Sequence, residues 1–206
     1  MLKQLIQSFA KGVSFVIPDK LAVIFKAFSN NFYTGLKKRK FKEFGKHSTL
    51  DYKAYKLCGL QYIEIGQYTH ISRMVTLTAW KTKSRNPIIK IGNNCHLGLL
   101  AHITAIDSIV VGDNLLTGSN VFISDNSHGD FEESQLRIDP QKRPLSSKGS
   151  VVIGNNVWIG NNVCVMAGVK IGDGAIIGAN SVVTKDVPSY AMAVGCPAKV
   201  VKYIKE

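Results

Sequence analysis

Carboxylates are scarce in this chain. Asp and Glu number 14 against 26 Lys and Arg in 206 residues, for a formal charge of +12. So lopsided a balance implies acidic partners: phosphate, an anionic lipid surface, an acidic polysaccharide or nucleic acid. Cysteine is sparse too. Cys58, Cys95, Cys164 and Cys196 lie far apart with no CxxC pair, a usage that fits neither a disulfide framework nor a zinc site and favours a reducing compartment. No apolar run reaches the roughly 20 residues that span a bilayer. The apolar start of the chain is interrupted by Lys3, Lys11 and Lys20, and no cleavage site of small residues follows. The expected location is the cytoplasm. With 45% hydrophobic and 19% charged residues a disordered chain is excluded, and the length suits one large domain with a core of ordinary size.

What the chain does have is a period of six. Over 151–183 the apolar residues Ile153, Ile159, Val165, Ile171, Ile177 and Val183 recur every sixth position, and Gly154, Gly160, Gly172 and Gly178 follow four of them. Neither a helix nor a hairpin meander has this period, whereas a regular repeat does. Each hexad reads as a short strand with one residue pointing inward and a tight turn supplied by Gly and Asn. The period is degenerate at Phe44-Gly45, Leu50 and Lys56. It is clear at Ile65, Ile71 and Leu77, again at Ile91, Leu97 and Ile103, and again at Val111, Thr117 and Ile123.

The gaps follow a rule. Extra residues enter after Leu77, Ile103 and Ile123, always after a third hexad. If three hexads make one coil, every insertion leaves from the same corner, which predicts a triangular prism of five or more coils with one decorated edge. Alternation places Cys95, Val157, Val163 and Ala175 inside. It places His70, His96, His102, Phe122, Trp158, Cys164 and Lys170 outside.

Residues 1–43 differ. Leu2, Leu5, Ile6, Phe9, Val13 and Val16 fall at helical spacing, and a second helical pattern starts at Pro18-Asp19 and runs through Leu21, Ile24, Phe25 and Phe28. Nine cations stand here against two acids, and the run ends in Lys37-Lys38-Arg39-Lys40-Phe41-Lys42. We expect a helical arm whose apolar face caps the open end of the repeat array. The alternative is a peripheral contact with a membrane or polyanion. Nucleic acid is not expected, because no aromatic platform accompanies the basic run.

The repeats of the form [LIV]-G-x4 resemble the hexapeptide-repeat acyltransferases, closest to the maltose, galactoside and polysaccharide O-acetyltransferase branch. IGNNVWIG, then the IGAN repeat, VTKDVP and GCPAKVVK occur here in that branch's order. The resemblance covers 44–206, with 185–206 as a tail. It implies an all-β fold, a left-handed parallel β-helix with a helical N-terminal arm and a long loop excursion at 124–150; the general rule for parallel crossovers alone would give the opposite hand. It also implies a homotrimer with acetyl-CoA as acyl donor, no metal and a saccharide acceptor.

The loop opening SDNSHGDFEES carries the histidine that matches the family's general base, His128. It lies five residues after inward Ile123, so it is tethered near the prism edge. Imidazole titrates near neutrality and can take the proton of a hydroxyl or amine attacking a thioester. Asp125, Asp130, Glu132 and Glu133 surround it; one orients the imidazole or holds a sugar hydroxyl, with Asp125 and Asp130 the candidates for substrate. Asn120 matches a turn asparagine that contacts acceptor or thioester, against the reading of a plain left-handed turn residue. Trp158 matches the tryptophan beside the acetyl end of the cofactor cleft. Asn161, Ala179 and Thr184 match the pantetheine channel. Lys199 and Lys202 match a basic pair at the nucleotide phosphates, where relatives often carry arginine; a lysine serves as a point charge rather than a fork.

The expected function is acetyl transfer to a sugar hydroxyl in polysaccharide biosynthesis, in the cytoplasm, with the inner face of the membrane as the alternative site. The alternatives are N-acetylation of an amino sugar or sugar nucleotide, a zinc hydratase of the γ-carbonic-anhydrase type, and a noncatalytic scaffold. The hydratase needs histidines that converge, and outward histidines one hexad apart diverge.

Overall fold

The computed structural model describes residues 2–14 and 19–204. Val16 and Pro18 of the expected arm lie outside the described residues. Helix α1 spans Leu2–Ser14 and helix α2 spans Asp19–Lys38. From Glu43 onward the chain winds into a parallel β-helix of three flat faces, two of six strands and one of eight.

Among the described residues there are six complete coils, at 43–58, 63–79, 88–105, 108–124, 151–165 and 170–183. A seventh begins where Val187 bridges to Ile171 and Ala193 pairs with Ile177. The six-residue period has a direct cause. Two or three extended residues form one face, and a turn residue with positive φ then swings the chain onto the next. Asn94, Asn114, Asn120, Asn156, Asn162 and Asn180 all take this left-handed conformation, which asparagine tolerates better than other chiral residues.

The stacking is close. A Cβ added to Gly98 would stand 2.1 Å from the Gly118 carbonyl oxygen of the next coil. Neighbouring coils hold register by parallel pairing, Ile65 opposite Ile91 and Ile153 opposite Ile171. They also hold it by side-chain ladders up the corners. Asn93, Asp113, Asn155 and Asp173 each accept, through Oδ1, a backbone N–H of the coil before. The inward column is aliphatic and closed to water, and Cys95, Val157, Val163 and Ala175 are buried with it.

Every insertion of more than one residue leaves from one corner, between the third face and the next first face. Residues 59–62, 80–87, 106–107 and 125–150 all occupy it. They interlock there. Arg85 Nη1 meets Asp107 Oδ2 at 3.1 Å, and Ser150 Oγ donates to the same oxygen at 3.4 Å. The first coil departs from the strict period. Leu57, not Lys56, pairs with inward Leu77, and Lys56 is exposed. One extra residue is absorbed in the turn at Lys53, which takes a φ of 67°.

Helix α2 docks on the first coil, but not by its apolar face. Thr34 Oγ1 accepts from the Leu50 N–H at 2.9 Å and donates to the Leu50 carbonyl at 3.1 Å. Asn30 bonds the Asp51 carboxylate and accepts from the Tyr52 N–H. Tyr33 packs edge-on against Tyr52, with centroids 5.6 Å apart. These polar groups occupy the backbone donors and acceptors of an otherwise open strand edge. The apolar positions expected to form the cap, Leu21, Ile24, Phe25 and Phe28, stay in solvent at 50–72% exposure, and Phe32 and Leu36 continue the exposed stripe. The terminal coil is covered instead by Phe41, which is buried.

Candidate active site

A cavity of about 690 Å³ lies against the third face, under the decorated corner. Its floor is made of outward residues stacked coil on coil: Lys56, then Thr76 and Thr78, then His102 and Thr104, then Phe122 and Ser124. Tyr55 and Trp80 wall one side, and Asn126, Ser127, His128 and Leu145 of the excursion wall the other. No carboxylate lines it. The ionisable groups that line it are Tyr55, Lys56, His102 and His128.

His128 is held by the root of the excursion. Ser127–His128 pairs antiparallel with Leu145–Ser146, and the Gly129 N–H donates to the Pro144 carbonyl at 2.8 Å. Below it, Asn126 N–H donates to Ser124 Oγ, and the Asn126 amide donates to the Thr104 carbonyl. The backbone is therefore tied on both sides, while the imidazole is exposed and makes no hydrogen bond among the described residues. No acid of the loop orients it. Glu133 pairs with Arg137, and Asp130 is exposed and outside the cavity lining.

Asp125 has a different job from the substrate contact expected of it. It is wholly buried, with Oδ1 accepting from the Ile106 N–H at 2.9 Å and Oδ2 from the Asp107 N–H at 2.8 Å. It closes the coil at the point where the excursion departs, and it has no face toward the cavity. Asn120 sits at the corner between second and third faces and is not among the lining residues. Its Nδ2 donates to Asn162 Oδ1 at 3.0 Å, and Asn162 donates on to Asn180.

Trp158 stands on the second face, half exposed, in register between Leu116 and Ile176. Asn161 and Ala179 occupy one stacked corner, where Asn161 Oδ1 accepts from the Ser119 N–H at 2.7 Å. Thr184 follows the last third-face strand, and Lys199 and Lys202 lie exposed on the strand Ala198–Tyr203 that closes the second face. Within one chain, Trp158 and His128 thus occupy different faces and are not brought together.

Residues that sequence spacing did not single out as cavity residues are Tyr55, Lys56, Trp80 and His102. Lys56 Nζ lies 4.9 Å from the Trp80 ring centroid, and His102 packs edge-on against Phe122 at 5.1 Å. Burial pushes the His102 pKa below the ordinary imidazole value, and the Lys56 charge pushes it the same way. The other outward histidines are elsewhere. His70 and His96 stack at 5.0 Å on the second face, and burial followed by the His70 charge lowers His96. Among the described residues no three His, Cys, Asp or Glu converge as a metal site.

Comparison with known proteins places this architecture. Residues 150–185 match the family described as "Bacterial transferase hexapeptide (six repeats)", and 88–125 match "Hexapeptide repeat of succinyl-transferase". The protein named "Putative lipopolysaccharide biosynthesis O-acetyl transferase WbbJ", of Escherichia coli (strain K12), is 40% identical over 119 residues, covering 56% of this chain and 60% of WbbJ. A chloramphenicol acetyltransferase of Klebsiella aerogenes is 35% identical over 144 residues, covering 57% of this chain and 69% of the enzyme. The chain spans between 45% and 60% of the length of the first three curated relatives it matches.

Among solved structures, AntD, an N-acyltransferase of Bacillus cereus in complex with dTDP and 3-hydroxybutyryl-CoA, superimposes with a TM-score of 0.69. It is 21% identical, covers 86% of this chain and 90% of AntD, and shows the fold alone. A galactoside acetyltransferase in complex with coenzyme A superimposes with a TM-score of 0.54 at 30% identity, covering 72% of this chain and 66% of that one.

Proposed function

The chain belongs to the hexapeptide-repeat acyltransferases, and from that footing we propose that it is an acetyl-CoA-dependent O-acetyltransferase acting on a saccharide hydroxyl. The observation that carries the proposal is the free imidazole of His128, fixed by its backbone at the rim of a cavity lined by hydroxyl, amide and aromatic groups. Such a lining suits a polyhydroxyl acceptor. Coenzyme A as donor is supported by the galactoside enzyme, whose structure holds it.

The acceptor oxygen attacks the thioester carbonyl while His128 takes its proton. The tetrahedral oxyanion collapses, the C–S bond breaks, and the imidazolium returns the proton to the leaving thiolate. Backbone amides or Asn120 stabilise the oxyanion; the corner ladder uses one Nδ2 hydrogen of Asn120 and leaves the second to donate.

Trp158, Asn161, Ala179 and Thr184 line the donor channel in this proposal, and Lys199 and Lys202 meet its phosphates. Because Trp158 and His128 stand on different faces of one chain, the site is completed between copies, the second face of one prism against the third face of the next. A homotrimer gives three such clefts. A cytoplasmic site of action fits four unpaired cysteines, Cys58, Cys95, Cys164 and Cys196. Transfer to an amine is the second reading, since an amine attacks the thioester with the same base.

The test is turnover of His128→Ala on an acceptor panel of sugars, amino sugars and sugar nucleotides. A loss of about 10²–10⁴ in kcat is expected for removal of a general base. Near-normal turnover on the best acceptor would overturn the role. Which acceptor leads the panel decides oxygen against nitrogen.

A further inference from the structure

Helix α2 is mounted inside out. Asn30, Tyr33 and Thr34 grip the first coil. Leu21, Ile24, Phe25, Phe28, Phe32 and Leu36, which recur at three- and four-residue spacing on the opposite side, are 50–72% exposed. An amphipathic helix on a globular core ordinarily buries the apolar stripe and wets the polar one. Here the bonds that dock the helix fix the stripe outward. Helix α1 adds a second exposed cluster, Leu2, Leu5 and Ile6, which share one side of that helix at 59–74% exposure. Large apolar side chains exposed along one side of a helix mark a site of interaction.

We infer that α1 and α2 form an in-plane anchor that docks on an anionic lipid surface. The charge of the segment selects this occupant. Residues 1–43 carry nine cations and two acids, with five of the cations in the run 37–42 at the end of α2. A lipid surface takes the apolar side chains into its acyl boundary and offers headgroup phosphates to the lysines. A second copy of the chain would bring the same positive charge against itself. Neither helix is long and apolar enough to cross a membrane, which suits a helix that lies in the interface. The grip of α2 ends at Tyr52, three residues before Tyr55 in the cavity wall, so docking fixes the cavity's height above the lipid. The anchor itself does not depend on the proposed acetyl transfer.

Full-length protein is sedimented with phosphatidylglycerol vesicles and with phosphatidylcholine vesicles, beside the double variant Phe25→Asp, Phe28→Asp. Both phenylalanines are exposed, so the variant keeps its fold, its melting temperature and any turnover on a soluble acceptor. The wild type should sediment with phosphatidylglycerol, bind phosphatidylcholine more weakly and lose binding as salt rises. The variant should lose about tenfold or more in partitioning. No sedimentation of the wild type, or unchanged binding of the variant, overturns the anchor. So does a larger mass in solution for the wild type than for the variant, which would show a second copy on the stripe.

Discussion

Replacing Asp125 with alanine separates a structural from a substrate-binding role for the carboxylate at the root of the His128 loop, and only the first fits its surroundings. Its oxygens accept from the N–H groups of Ile106 and Asp107 and from the Asn126 amide, at 2.8–3.0 Å. The side chain is wholly buried, so no solvent stands ready to replace it. Each buried donor left without an acceptor costs about 1–3 kcal/mol. Two backbone donors are orphaned, and partial relaxation leaves a net loss of about 3 kcal/mol. For a domain of this size that is a fall of about 6–12 °C in melting temperature. Asparagine does not rescue it fully, because whichever way the amide turns, its NH2 faces one of the two N–H groups. Urea unfolding followed by circular dichroism reads the shift in midpoint, and vesicle or substrate is not needed. Acceptor KM should change little at a temperature where the variant is folded. An unchanged midpoint together with a raised acceptor KM would refute the structural assignment and restore Asp125 as a substrate contact.

Other expectations are as direct. Gly98→Ala forces a methyl to within 2.1 Å of the Gly118 carbonyl, so it should destabilise the chain by about 3 kcal/mol, the upper range for overpacking; a thermal midpoint within 1–2 °C of wild type, roughly the error of such scans, would show that the coils part easily. His96 and His102 have pKa values lowered in the fold, chiefly by burial. The unfolded chain then binds the proton more readily, so stability is highest above the unfolded imidazole pKa and falls as pH drops through it. The double variant His96→Gln, His102→Gln should flatten that acid slope between pH 7.5 and 5, and an unchanged slope would count against both shifts. Removing Lys199 and Lys202 together should raise KM for acetyl-CoA with little change in kcat and weaken its salt dependence; equal salt dependence before and after would place the phosphates elsewhere.

Much of the prism is legible in the residue order because one inward position in six and one turn position in six are chemically restricted. The single decorated corner follows from counting, since every gap longer than one residue falls after a third hexad. The slip at the first coil was not legible: one extra residue enters the turn at Lys53, and turn composition does not mark it, since Met74 and Leu100 take the same left-handed conformation where the period is strict. The cavity floor was hidden for another reason. Lys56, Thr76 and His102 are 20 to 26 residues apart in the chain yet lie in register on adjacent strands, so no local motif joins them. Asp125 could not be told from Asp130 by composition; only the two backbone N–H groups aimed at it make the difference. The orientation of α2 reverses a sound rule. Its polar residues meet a bare strand edge that needs hydrogen bonds more than apolar cover.

The uniform stacking makes the molecule a ruler. The excursion bearing His128 leaves the fourth coil, and Lys199 lies on the antiparallel strand that pairs outside the unfinished seventh, four rungs further along the axis. At one strand spacing per rung, about 4.8 Å, the interval along the axis is roughly 19 Å and can change only in whole steps. A ligand held at both ends is therefore measured by counting. Deleting 18 residues between the marks would shorten the gauge by one graduation without disturbing either end.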